Sequence, residues 1–455
     1  MKITRNRIFA CMSTALFLGI IGLAFTIPPF LPKSDAVLTE SLNSEITLDT
    51  DSLGISPATS SESGKPAFSV QDMALQDTEN RLSEGFDIPK GLEKRVAFWL
   101  DIYTKYDSRH YVIHHREFPW IVFDVANSSD IFTQTRVQWL NRRDADTLSS
   151  VKKDSVISTL KMLQVRSGYE NLPAEEARVF ELLKDIPGTR KQVIREAIKA
   201  VRIQLGQKDM FEMGLVRSAP YIPMMEQIFE SAGLPKELVR LPLVESSFNN
   251  AAYSNVGARG AWQIMPSQGR KKMMIDSIID ERESPLKSAT FAAFILKQNK
   301  QILKTWPLSV TAYNHGSGSL LKAVRKLKTN ELQEIIDLNN AKSFQFASSN
   351  FYACFMAALR GELYAAELFP ELKRPSAMQL TKIRISKRTS LSAFAKKVGF
   401  DITELQAMNP ELPKKIRNNF QIPSGFNLYI PEMKSLTEQT KASATVSENS
   451  VMVPR

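Results

Sequence analysis

Glu245 is the single acidic residue between positions 241 and 265, and it ends an apolar run, Leu-Pro-Leu-Val-Glu. The next carboxylate along the chain is Asp276. Leu241, Leu243, Val244 and Phe248 surround it with groups that penalise a charged form. Such desolvation raises a carboxyl pKa toward the range where it donates a proton near neutrality. This is the chemistry of a general acid for cleaving a glycosidic bond. Most glycosidases add a second carboxylate that activates water or attacks the sugar. None lies between 246 and 275, so Asp276, Asp280 and Glu281 are the nearest candidates in sequence.

Other residues recur around Glu245 in a fixed order. They are Glu-Ser at 245–246, Ser254, Gly-Ala at 257–258, Gly-Ala-Trp-Gln-Ile-Met-Pro at 260–266 and Ala-Tyr-Asn-His-Gly at 312–316. The set resembles the lytic murein transglycosylases of the goose-lysozyme-like fold, strongly over about residues 206–366. The resemblance implies a mainly α (α+β) protein with a lysozyme-like helical catalytic domain and no cofactor or metal.

The same resemblance implies a reaction without water. Glu245 protonates the bond between N-acetylmuramic acid and N-acetylglucosamine, and the muramic acid's own 6-hydroxyl then attacks C1. Glu245, now ionised, takes that hydroxyl's proton, and a 1,6-anhydromuramyl end results. Ser254 is expected to position Glu245 by a hydrogen bond, and Gln263 and Met265 to line the substrate groove. Tyr313 is expected beside the acetamido group or Glu245, and Asn314 in the same motif or as a helix cap. Gly257 and Gly260 allow a tight loop and a close approach of backbone to sugar. Trp262 is either a sugar platform or a core residue.

Two positions depart from the family pattern. His315 replaces a small residue, and it is read as a turn histidine with local bonds or as a tuner of pH dependence. Ser348 stands where some relatives carry glutamate, if Tyr352 is aligned with the family tyrosine. Two rivals stay open: a lysozyme-type hydrolase using one of the downstream acids, and a non-catalytic glycan-binding scaffold.

The elements that position these residues read as helices. A helix runs from Pro220 to Ser231, and Pro235 starts the one that delivers Glu245, a favoured first-turn use of proline. Ser284-Pro285 reads as an N-cap and first turn. Pro307 starts a helix ending at Asn314-His315-Gly316, and 348–366 form another.

Upstream of them, 112–114 and 120–124 are strand-like and 174–206 helical. Residues 86–205 resemble the family's N-terminal extension and are assigned scaffold or docking work, and the catalytic domain is placed at 206–375. His114 and His115 have no ligand partners at useful spacing. Residues 376–432 read as strand, two helices and strand, which resembles a LysM glycan-binding module. Its Arg388-Thr389-Ser390 replaces the usual Gly-Asp-Thr.

Lys2, Arg5 and Arg7 precede twenty uncharged residues, 8–27, long enough for a signal anchor or signal peptide within 1–32. Residues 33–80 hold nine acidic and two basic residues, and 33–85 read as a disordered tether. Residues 433–455 read as a disordered tail. The net charge of +11 leaves the folded part strongly basic, which suits an anionic partner. Peptidoglycan fits both charge and export, whereas nucleic acid does not. The expected location is the cell envelope on the periplasmic side, attached to a membrane through the N-terminal apolar segment. Cys11 and Cys354 suggest neither a disulfide nor a metal site.

Overall fold

A computed structural model describes residues 69–133, 138–413 and 420–432. The apolar segment 8–27, most of the acidic segment and the tail beyond 432 lie outside these residues. Helices dominate, with three small sheets.

The body is a helical cluster around Phe346–Leu363, whose residues from Asn350 to Gly361 are all buried. Trp306–His315 packs against it and Pro285–Leu303 packs against Trp306–His315, both with proline in the first turn. Ser284 occupies the N-cap of the former, but its hydroxyl makes no capping bond and is buried without a partner.

Upstream residues enter the same core. Val96, Leu100 and Ile102 of the Glu93–Thr104 helix are fully or almost fully buried in it. Arg95 and Trp99 both donate to Asn350 Oδ1, each at 3.0 Å, which pins this helix to Phe346–Leu363.

Residues 69–85, expected within the disordered tether, are instead ordered. Val70–Gln76 is a short helix capped by Ser69 and ended by Asp77 in a left-handed conformation. The Asp77 carboxylate accepts from the Arg81 and Leu82 N–H groups and from the Tyr364 hydroxyl. Arg81 pairs with Glu367. Fully buried Ala74, which a composition average over 33–85 conceals, and Phe86 just beyond that span provide the apolar anchorage.

A second core holds the region from about 111 to 205. His110–His115 is the central strand of a sheet, antiparallel to Val122–Asn127 on one side and Val201–Leu205 on the other. The span 174–206, expected as helix throughout, is two helices, Ala174–Leu182 and Arg190–Ala200, followed by that strand. Val-Arg-Ile-Gln-Leu alternates with period two, the signature of a strand, but directly abuts a helical pattern with no glycine or proline between them. The 28-residue helix Gln138–Val165 covers the sheet. His115 is buried on this side of the sheet and His114 on the other, against Phe98 and Phe346, and burial lowers their pKa values to about 4 and about 3.

The C-terminal module has its own core. Leu380–Arg384 pairs antiparallel with Asn427–Pro431, and Leu391–Val398 and Ile402–Met408 lie between them. It packs directly on the helical body. Ile279 belongs to the module's core and Met274 packs against it, while Tyr429 is buried in the body's core. Lys287 reaches across to Glu411 at 2.7 Å, and its ammonium sits 3.5 Å from the Phe426 ring centre.

Candidate active site

Glu245 sits near the end of Leu241–Ser246, a helix shorter than two turns that continues from the 3-10 turn Lys236–Arg240. Arg240 fixes that junction. It is buried, donates to Glu362 Oε2 at 3.0 Å and pairs with Glu226. Leu241, Leu243, Val244 and Phe248 are buried as their apolarity demands.

The chain then leaves the helix through Ser247 and Phe248, both left-handed, at φ 49° and 53°. Two adjacent non-glycine residues in this region are strained, and such strain concentrates at functional sites. The turn is held because Ser247 N–H donates to Leu243 O and Phe248 N–H to Pro242 O. Ser246 ties it to the following loop by donating to Ala261 O at 2.9 Å and accepting from Asn249 N–H at 3.0 Å.

The Glu245 side chain remains partly exposed, yet packing around its carboxyl is dense. Burial raises its pKa to about 8, and among the described residues no hydrogen bond or ion pair opposes that shift. The shift favours the neutral form that a proton donor needs near pH 7.

Tyr313 lies close enough to feel Glu245. Its pKa is raised well above the ordinary value by burial and then by the Glu245 charge. Its hydroxyl donates to Trp262 O at 2.9 Å. Trp262 itself is fully buried and stacks on Phe229 with ring centres 5.6 Å apart, which makes it a core residue and no sugar platform. The next residue, Gln263, is left-handed at φ 47°, and its amide donates to Gly260 O at 2.9 Å. Met265 follows, partly exposed, just before the Pro266–Gly269 turn.

Other expectations are corrected. Ser254 Oγ accepts from Ala258 N–H at 2.9 Å and makes no bond to Glu245, so it shapes the loop. Asn314 caps nothing. It lies inside Trp306–His315, buried, and its Oδ1 accepts from Ser348 Oγ at 3.3 Å. The close approach at Gly260 is to protein backbone, because a Cβ there would lie 1.8 Å from Arg282 O. His315 Nδ1 is 3.0 Å from Ser348 Oγ, with its ring edge-on to Phe344. The two positions that depart from the family pattern thus touch each other, and both are buried.

Arg282 is the residue that sequence reasoning missed. Buried, it donates to Gly257 O at 2.8 Å and Ile264 O at 2.9 Å, so one guanidinium clamps both ends of the loop facing Glu245. Its Nε and Nη2 hold Asp280 at 2.9 and 2.7 Å. In sequence, Asp-Glu-Arg-Glu at 280–283 has the look of a solvated charge run, and no local signal separates it from one.

The three downstream acids are all engaged. Asp280 binds Arg282 and Arg259, and although burial pushes its pKa up, the Arg282 bonds and charge hold it below the usual value. Glu281 accepts from Met274 N–H and pairs with Lys287. Asp276 accepts from the Ile278 and Ile279 N–H groups. Among the described residues no cluster of His, Cys, Asp and Glu is arranged to hold a metal ion.

A lysozyme-like, mainly helical body presenting one desolvated glutamate defines the class of protein. Residues 225–336 match the family model "Transglycosylase SLT domain", and the chain belongs to that family. It is 29% identical over 205 residues to membrane-bound lytic murein transglycosylase D of Escherichia coli K12, covering 43% of each chain. It is 31% identical over 144 residues to a protein of an Alteromonas species named for tributyltin chloride resistance, covering 31% of this chain and 70% of that one. The chain thus spans under half the length of the E. coli relative it matches.

Proposed function

We propose that the protein is a peptidoglycan lytic transglycosylase. It cleaves the β-1,4 bond between N-acetylmuramic acid and N-acetylglucosamine and leaves 1,6-anhydromuramyl ends. The observation that carries this reading is a desolvated Glu245 whose three candidate partners among the described residues, Asp276, Asp280 and Glu281, are each held by other groups. An acid alone suffices when the second nucleophile belongs to the substrate.

In this reading Glu245 gives its proton to the leaving oxygen as the C1–O bond breaks. The 2-acetamido group stabilises the positive charge at C1. The 6-hydroxyl oxygen then bonds to C1 and its proton returns to Glu245, restoring the acid. The Tyr313 hydroxyl, fixed by Trp262 O, orients the groups around Glu245. Gln263 and Met265 line the groove, while Ser254 and Asn314 support its walls.

The relative's name supports placement in the cell envelope. The uncharged segment 8–27 supplies a membrane attachment that holds the enzyme near its polymer; it lies outside the described residues, among which no helix is long and apolar enough to cross a membrane. Residues 376–432 act as a LysM-like glycan-binding module, a role supported by their strand–helix–helix–strand order.

The test is digestion of purified sacculi followed by mass spectrometry of the released fragments. Anhydro ends are expected. Reducing ends would show hydrolysis, and absence of release would show a binding scaffold.

A further inference from the structure

Where the C-terminal module meets the helical body there is a cleft of about 440 Å³. It is lined by Lys272, Lys287 and Lys382, by Phe294 and Tyr429, and by one acid, Glu281. Lys382 and Tyr429 are direct cross-strand partners on the ribbon face opposite Ile383, Leu428 and Ile430. Those three serve the module's own core, so the cleft uses the other side of the sheet.

The charges on the wall do not cancel. Glu281 is taken by Lys287 at 3.0 Å, and Lys287 also pairs with Glu411. Lys272 sits 4.3 Å from the centre of the Phe294 ring. Lys272 and Lys382 are exposed and, among the described residues, pair with no carboxylate. Two uncompensated ammonium groups beside aromatic walls suit a ligand that carries carboxylates on a partly apolar frame. A neutral glycan would leave both charges unanswered.

We propose that this cleft binds the carboxylate-bearing peptide of peptidoglycan, as a contact separate from the groove at Glu245. The inference rests on reading the chain as a peptidoglycan enzyme and names a second point at which it holds that polymer. Because both modules build the walls, the site exists only while they are docked.

The probe is a fluorescently tagged stem tetrapeptide of peptidoglycan, titrated by anisotropy with the full chain carrying Glu245→Gln, so that turnover plays no part. Adding Lys272→Glu and Lys382→Glu should weaken binding at least about tenfold, which is ~1.4 kcal/mol, with the melting temperature unchanged because both residues are exposed. In chains with Glu245 intact, the same two charge reversals should leave cleavage of peptide-free glycan strands unaltered. A tetrapeptide that does not bind, or binds both forms equally, overturns the proposal. Binding that appears only after removal of residues 1–68 would assign the cleft to the chain's own acidic segment and overturn it as well. A failure of the catalytic reading would show elsewhere, as an absence of anhydro ends from a chain whose lysines are intact.

Discussion

Arg282 grips both carboxylate oxygens of Asp280, at 2.9 and 2.7 Å, from a buried position beneath the loop that faces Glu245. The pair engages one of the three carboxylates that a hydrolytic mechanism could draw on, and uses it to build the loop. Arg282→Ala should cost ~3–5 kcal/mol, the usual effect of breaking a buried ion pair. Arg282→Lys should recover little, because an ammonium cannot reproduce the fork to Asp280 and the bonds to two carbonyls. Thermal melts of both variants check this; equal stability of Arg282→Lys and the parent would refute the clamp.

Glu245→Gln should reduce release of muropeptides by at least ~100-fold, the lower range for general acid–base catalysis. Stability should change in the opposite sense. The folded pKa of about 8 lies above that of an unfolded glutamate, so the folded state binds the extra proton. The contribution is fully present below the unfolded pKa and is lost as pH rises through about 8. Glu245→Gln should therefore melt close to the parent at pH 5 and clearly above it at pH 9. A melting difference independent of pH would show that the carboxyl is not desolvated.

The same shift sets a limit on activity. Turnover at low substrate should fall on the alkaline side with an apparent pKa near 8 as the donor ionises. A profile flat to pH 10 would remove Glu245 from the role of acid.

Tyr313→Phe deletes a hydroxyl that donates to the Trp262 carbonyl. Leaving that buried acceptor unpaired should lower stability by ~1–3 kcal/mol. Activity per folded molecule should also fall, since Tyr313 lies close enough to feel the Glu245 charge and geometry supplies much of a catalytic advantage. Measuring melting and turnover on one preparation separates the two effects. A stability loss with full turnover would confine Tyr313 to the core.

Lys287→Met should strand Glu411, whose side chain is fully buried, and destabilise the module by ~3–5 kcal/mol. Glu411→Gln added to it should restore part of the loss in a double-mutant cycle. Additive effects would mean that the two residues do not interact.

Much of the site could be read from residue types alone. Glu245 was legible because an isolated carboxylate in an apolar run is chemically conspicuous. The helices at Pro285 and Pro307 were legible because proline marks a first turn. What escaped depended on distance in sequence or on masking by neighbours. Arg282 acts on Gly257 and Ile264, 25 and 18 residues away, and only folding brings them together. Val201–Leu205 hid behind the helical period of the residues before it. Ser254 was expected to serve Glu245 but is committed to Ala258, a local bond that outcompetes the longer reach. His315 and Ser348 looked like two separate oddities until their hydrogen bond made them one.

The docking of the C-terminal ribbon bears on how this chain is recombined with others. Tyr429 is buried in the helical body, and Ile279 in the module. Small appended modules are treated as cassettes that move between proteins as beads on a string. Here the bead is welded to its neighbour. Transplanting residues 376–432 onto another enzyme would expose Tyr429 and strand Glu411 unless the recipient supplied equivalents of Met274, Ile279 and Lys287. The transferable unit is the module together with the patch of enzyme it sits on.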